Sequence, residues 1–211
     1  MKPQIILIGG GGHCKSCIDV IEQEGKYKIA GIVDMAEKVG QSILGYPIIG
    51  TDDDLPELVQ EYKNVIITIG QIKSAYLRIK LYDQAKQLNA QLPVIVAPTA
   101  YVSRHASIQE GTIVMHHALI NAEARIGINC IINSKALIEH EAIIGDFCHI
   151  STATCVNGQV NIGTNCFIGS NTVLSNNITI SDNSIVAAGS QVLKSLAKPG
   201  IYIGNPLRKI R

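Results

Sequence analysis

The sequence predicts a chain in two parts. An α/β, Rossmann-like parallel-sheet domain over residues 1–95 is followed by a left-handed parallel β-helix over residues 96–211, which includes a C-terminal closing segment. Three observations predict this. From Val96 to Val192 every sixth residue is Val, Ile or Leu, seventeen times in succession without a break. Four residues after each stands mostly a small residue, as at Ala100, Ala106, Thr112, Ala118, Ala124 and Cys130. Before residue 96 the period is absent, and aliphatic runs alternate with helix-like stretches. A period of six matches neither the 3.6 of a helix nor the alternation of a strand, and is the spacing of short strands stacked coil upon coil.

The first part is read element by element. Gln4–Ile8 is a buried strand running into the glycine loop Gly9–His13, and a helix follows from Lys15 to Glu24. Ile29–Val33 is a second strand ending at Asp34, and Val65–Ile69 a third ending at Gly70. A helix from about Ser74 to Leu88 and a short strand at Val94-Ile95 complete it. Alternating strands and helices imply right-handed crossovers and a small parallel sheet, which binds ligands at the carboxyl ends of its strands. The glycine loop, Asp34 and Gly70 fall there. Glycines let a phosphate approach the backbone, and a helix N-terminus favours its charge; Asp34 is placed to accept a hydrogen bond from a ribose or base. The dinucleotide fingerprint fails, because Cys14 or Lys15 stands where its third glycine belongs,. A mononucleotide, such as the nucleoside diphosphate of an activated sugar, fits better; the alternative is that the glycines form only a tight turn.

In the second part, three hexapeptides per coil give between five and six coils, and Lys198–Pro206 breaks the period and closes them. A three-sided prism packing on copies of itself predicts a homotrimer with long clefts between subunits. Aromatics are 4% of the chain with no Trp, which suits a narrow aliphatic core. Cys130, Cys148 and Cys166 take the small inward position, while Cys14 and Cys17 lack the second pair a zinc site needs,. A net charge of +1 without a basic run argues against nucleic acid, and no apolar run approaches the roughly 20 residues of a membrane span,. With no signal peptide at the start, a cytoplasmic location is expected.

Five of six histidines lie in the repeats, none at the inward aliphatic position. Each by itself reads as a surface histidine. His140 stands apart between Glu139 and Glu141, with Asn133 about one hexapeptide earlier. A carboxylate or amide beside an imidazole fixes its tautomer and raises its basicity, as a general base requires. A metal site built on His105 and His140 is the alternative, without a third histidine at an equivalent face; no metal is expected.

Gly9–His13, the hexapeptide repeats, the segment Ile138–Ile150 with its His-Glu pair and later histidine, and Gly204-Asn-Pro206 together resemble the NeuD/PglD-type bacterial sugar acetyltransferases over essentially the whole chain. The resemblance implies an acetyl-CoA-dependent acetyltransferase of glycan biosynthesis. Its acceptor would be a nucleotide-linked amino sugar such as a UDP-4-amino sugar or, alternatively, a sialic-acid hydroxyl. It implies His140 as catalytic base with Glu141 supporting it, and Asn133 facing the acceptor. It assigns Gly11, Gly12, His13, Asp34 and Gly70 to the nucleotide sugar. His149, the Gly158 backbone, Ser170, Ala188, Gly204 and Pro206 it assigns to acetyl-CoA. Met35, Ala188, Leu207 and the long segment Gly70–Arg78 depart from the family pattern, and they bear on which sugar is accepted. A non-catalytic β-helix scaffold and a nicotinamide oxidoreductase are the competing classes.

Overall fold

The computed structural model describes residues 2–211. Its N-terminal sheet runs β1 (Gln4–Ile8), β2 (Lys28–Val33), β3 (Ser42–Ile43), β4 (Tyr46–Gly50) and β5 (Asn64–Ile67), in the order β3-β4-β2-β1-β5. All pairings are parallel except the β3–β4 hairpin. Three α-helices accompany it: α1 (Gly12–Glu24), α2 (Leu55–Tyr62) and α3 (Tyr76–Gln87). The chain reverses direction across the sheet at β1, so the carboxyl ends of β1, β2 and β5 border one crevice,.

Two expectations change here. Helix α1 begins at Gly12, not Lys15, because Gly11 takes the extended N-cap conformation and the Cys14 N–H already reaches the Gly11 carbonyl. Gly12 and His13 therefore form the first helical turn. The sequence reading contains neither the β3–β4 hairpin nor α2, although a signal precedes α2: Thr51 and Asp54 form a capping box on the 3-10 turn Asp52–Asp54, which runs into Leu55, Leu58, Val59 and Tyr62 at helical spacing,.

The solenoid is a left-handed parallel β-helix with three sheets of two-residue strands, each pairing with the strand 18 residues on, as in Ile113↔Ile131↔His149↔Phe167. The sixfold Val/Ile/Leu positions and the small residues form one continuous core. At each fully formed corner one residue has a positive φ of 50–61°, from His117 through Glu141 to Asn183, usually without a glycine. Such backbone is unfavourable by itself. It is held by hydrogen bonds to the coil before, for example from the Glu141 N–H to the Ala122 carbonyl at 3.0 Å. Ile95–Val96 belongs to the solenoid, pairing with Ile113–Val114. At the other end Gly200–Ile203 pairs with Ser184–Val186 and turns back through Arg208–Lys209, and Tyr202 closes the core.

The two parts share a core. Cys14, Cys17, Ile18 and Ile21 of α1 pack with Ile95, Ile113 and Ile131, the outward residues of one solenoid face. Burial pushes both thiols of α1 upward, which leaves them packing atoms rather than nucleophiles,. On the other face of the sheet α2 and α3 close a second cluster around Ile6, Ile8, Leu55 and Leu81. The joint is pinned by Arg78, 1% exposed, which donates to the Ile67 and Ile69 carbonyls and to the backbone and side-chain oxygens of Asn129. Burial lowers its pKa to about 10, so it stays charged at neutral pH. Arg78→Met strands these buried acceptors and is expected to cost about 3 kcal/mol or more, read as a lower denaturant midpoint.

Candidate functional site

The glycine loop divides into two halves. Gly9 has φ +100° and a Cβ there would strike Ile69; one at Gly10 would lie 2.5 Å from the Asp34 carboxylate and from Ile43. Those two glycines are required by packing. Gly11 and Gly12 face open space, and Gly11 borders a cleft of about 770 Å³ that Asp34, Thr51, Ile69 and Lys80 also line. Asp34 is not a free acceptor. It receives the Gly10 N–H at 3.0 Å, the Met35 N–H at 2.8 Å and Lys38 Nζ at 3.0 Å, and so clamps the loop.

Burial raises the Asp34 pKa, but the hydrogen bonds from Met35, Lys38 and Gly10 outweigh it and hold the carboxyl below its ordinary value. A depressed carboxylate contributes stability above its unfolded pKa of about 3.9 and loses it as pH falls through the folded value. Thermal melts should therefore show an acid-side loss of stability below about pH 4 in the native protein that is weaker in Asp34→Asn.

Beside the loop lies a buried polar junction between the two parts. Gly70 leads into Gln71, 3% exposed, whose carbonyl accepts the His149 Nδ1–H at 2.7 Å. The other ring nitrogen, Nε2, accepts from Asn133 Nδ2 at 3.1 Å. Burial lowers the His149 pKa to about 4 and that of His13, whose ring centroid is 6.4 Å away, to about 3, with the nearby Arg78 charge acting in the same direction. Both imidazoles are neutral at pH 7. The reading of His149 as a surface residue is corrected: it faces outward from the coils, yet the Gln71 loop covers it. The link between Asn133 and His140 is corrected as well. With 18 residues per coil, Asn133 sits at a different corner from His140 and pairs with His149.

His140 and Glu141 occupy an exposed corner. Glu141 holds positive φ (59°), which turns its carboxylate onto His140 Nδ1 at 3.1 Å, and Gln159 Nε2 donates to the same oxygen at 3.1 Å. The bonds from Gln159 and His140 lower the Glu141 pKa. A carboxylate against Nδ1 places the proton there and leaves the Nε2 lone pair to accept another. Glu139 instead accepts from Asn121 and caps the His140 N–H.

One coil on, 18 residues away, the imidazole lies against Gly158: a Cβ there would sit 2.6 Å from His140 Cε1 and 2.7 Å from Nε2. At this corner in the two preceding coils the corresponding N–H groups, of Ala122 and His140, are taken by the side chains of Asn121 and Glu139. At Gly158 the residue in that place, Asn157, turns away and donates to the Leu174 carbonyl at 2.8 Å. The Gly158 N–H thus has no protein acceptor among the described residues. A proton acceptor and an uncapped N–H donor thus stand at one corner in adjacent coils.

Ser170 and Ala188 stand in successive coils at the same corner as Asn133, two and three coils after Ser134. Ser170 Oγ pairs with Ser151 Oγ at 2.9 Å, and a Cβ on Gly169 would strike the Ala188 backbone. Gly204, at φ +93°, donates to Ser190 Oγ at 3.1 Å and precedes the cis Asn205–Pro206 bond. The four residues form a shallow backbone-lined edge at the far end of the solenoid. Gln71, Gln159 and Arg78 are site-bordering residues that motif reading missed; Gln159 was accessible, since it stands 18 residues after Glu141. Among the described residues no group of three or more His, Cys, Asp and Glu is arranged to hold a metal ion, and no helix is long and apolar enough to cross a membrane.

Residues 4–85 match the family model described as the PglD N-terminal domain. No curated protein sequence matches the chain. The structure is similar to that of perosamine N-acetyltransferase from Caulobacter crescentus, solved in complex with CoA and GDP-perosamine. The TM-score is 0.91 at 32% identity, over 98% of this chain and 96% of that one. It is equally similar to the acetyltransferase domain of PglB from Neisseria gonorrhoeae, solved in complex with acetyl coenzyme A, with a TM-score of 0.91 at 26% identity over the full length of both. WeeI from Acinetobacter baumannii, at 18% identity and TM-score 0.75, shares the fold.

Proposed function

Because the chain belongs to the PglD/NeuD-type sugar acetyltransferases and is an acyltransferase, we propose that it transfers an acetyl group from acetyl-CoA to the amine of a nucleotide-linked amino sugar, with His140 as general base. The observation that carries this reading is that His140, its Nδ1 held by Glu141, lies against Gly158, whose N–H is uncapped. His140 takes the proton from the attacking amine while Glu141 holds the ring and balances its charge. The Gly158 N–H stabilises the oxygen on which negative charge develops. Acetyl-CoA supplies a thioester whose thiolate leaves readily. The corner fits such a group: Gly158 is buried under His140, and the edge formed by Ser170, Ala188, Gly204 and Pro206 offers backbone to an extended pantetheine arm.

The nucleotide sugar would enter over Gly11, Gly12 and His13, with Gly70 bordering it and Asp34 keeping the loop in place. The enzyme from Caulobacter, crystallised with GDP-perosamine, supports a nucleotide-linked amino sugar. A homotrimer is supported by the outward residues of one solenoid face: Tyr101, Leu119, Leu137, Cys155 and Val173 form an apolar row that is partly or largely exposed in the single chain. Calorimetric titration with CoA, and with GDP- and UDP-linked amino sugars, tests the reading. Saturable binding of CoA and of at least one nucleotide sugar is expected; absence of CoA binding would favour a scaffold.

A further inference from the structure

We propose that Lys80 and Asp52 select the nucleobase of the acceptor, and that this base is guanine: the Lys80 ammonium donates to its O6, and the Asp52 carboxylate accepts its N1–H and N2–H. The inference rests on the acetyl-transfer reading and names the nucleotide that carries the amino sugar.

The sheet sets the direction in which the acceptor lies. The chain after β5 reaches the solenoid at once, where the Gln71 carbonyl takes the His149 N–H, so the sugar that receives acetyl belongs on that side. In the order β3-β4-β2-β1-β5, β4 stands three strands away. A nucleotide with its diphosphate at the glycine loop and its sugar toward the solenoid extends its base past the end of β2 toward the end of β4. There β4 stops at Gly50, and Thr51 and Asp52 continue into the wall of the cleft. Lys80 lines the same cleft from α3. Gln84, one turn further along that helix face, donates to the Asp52 carbonyl at 3.1 Å and so holds the face over the turn,. Lys38 is engaged by Asp34, and Asp54 by Thr51. Among the described residues no ion pair involves Lys80 or Asp52. Two opposite charges therefore share one cleft without pairing. Leu77, 44% exposed, and Met35, 58% exposed, line it as well and offer apolar surface to the faces of a ring,. An ammonium only donates and a carboxylate only accepts. Guanine carries the acceptor O6 beside two N–H donors that one carboxylate can take together. Uracil offers a single N–H, and adenine places an amine where guanine has O6.

The test is calorimetric titration of the full chain with GDP, ADP, UDP and xanthosine diphosphate, in wild type, Lys80→Met, Lys80→Arg, Asp52→Asn and Asp53→Asn. Wild type is expected to bind GDP at least about tenfold more tightly than ADP or UDP, the worth of a hydrogen bond to a charged group. Lys80→Met should lower GDP affinity about tenfold and bring GDP and ADP within about threefold of each other. Lys80→Arg, which keeps a donor, should recover most of the loss. Asp52→Asn should bind xanthosine diphosphate more tightly than GDP, because the carboxamide N–H meets the 2-oxo group that replaces the guanine amine. Loss of structure alone does not produce that reversal. Asp53→Asn should leave GDP affinity within about twofold, as a surface substitution does. CoA affinity should be unchanged in all four variants. ADP or UDP binding as tightly as GDP in wild type, a GDP-to-ADP ratio unchanged in Lys80→Met, or Asp52→Asn that still prefers GDP overturns the proposal and leaves acetyl transfer standing. If none of the nucleotides binds, the nucleotide-linked acceptor and this proposal fall together.

Discussion

His140→Ala is expected to lower kcat by about 10²–10⁴-fold, the usual contribution of a positioned general base. The imidazole is half exposed and, among the described residues, its ring bonds only to Glu141, so removal should leave folding, assembly and CoA affinity intact. Loss of turnover with native melting and unchanged calorimetric CoA binding separates a chemical role from a structural one. Glu141→Gln should also lower kcat, because a carboxamide can donate to Nδ1 and move the ring proton to the nitrogen that must accept.

Gly158→Ala is the second large effect, and it is more specific to this geometry. The added Cβ would lie 2.6–2.7 Å from the His140 ring, well inside van der Waals contact. The ring is the free end of a side chain at an exposed corner, so it swings away at little cost in stability, and the thermal midpoint should move by no more than a few degrees. The same swing takes Nε2 away from its place against Gly158. Misplacing a reacting group by about 1 Å costs on the order of 10²-fold, so kcat should fall by at least that factor while the acetyl-CoA KM changes less. In the background of His140→Ala, where the clash is gone, Gly158→Ala should add little. Steady-state kinetics of the two single variants and the pair check this.

The solenoid was legible because its environment repeats: a position six residues on meets the same core, so Val96 through Val192 report one constraint seventeen times. The N-terminal half was legible where the signal is local, as in Gln4–Ile8 followed by four glycines. It was illegible at β3 and β4, which are two and five residues long and draw their stability from pairing rather than from pattern. The proposed catalytic corner was half legible. His140 and Glu141 are neighbours in sequence, whereas Gly158 meets them only because one coil takes 18 residues. Asn133 shows the cost of overlooking that arithmetic, since it stands near His140 in sequence but bonds to His149. The bonds from His149 to Gln71 and from Arg78 to Asn129 span 78 and 51 residues. They depend on how the two parts dock, which no local pattern records.

The central claim is that His140 drives transfer of acetyl to a sugar amine, and the most direct test follows free thiol and product mass together. Wild type and His140→Ala would be incubated with acetyl-CoA and a panel of GDP- and UDP-linked amino sugars and sialic acids. The account predicts thiol release that depends on a nucleotide-linked amino sugar, one N-acetylated product formed per thiol, and a loss of both by at least about 10²-fold in His140→Ala. Thiol release that needs no sugar, acetylation only of a sialic-acid hydroxyl, or full turnover in His140→Ala would contradict it.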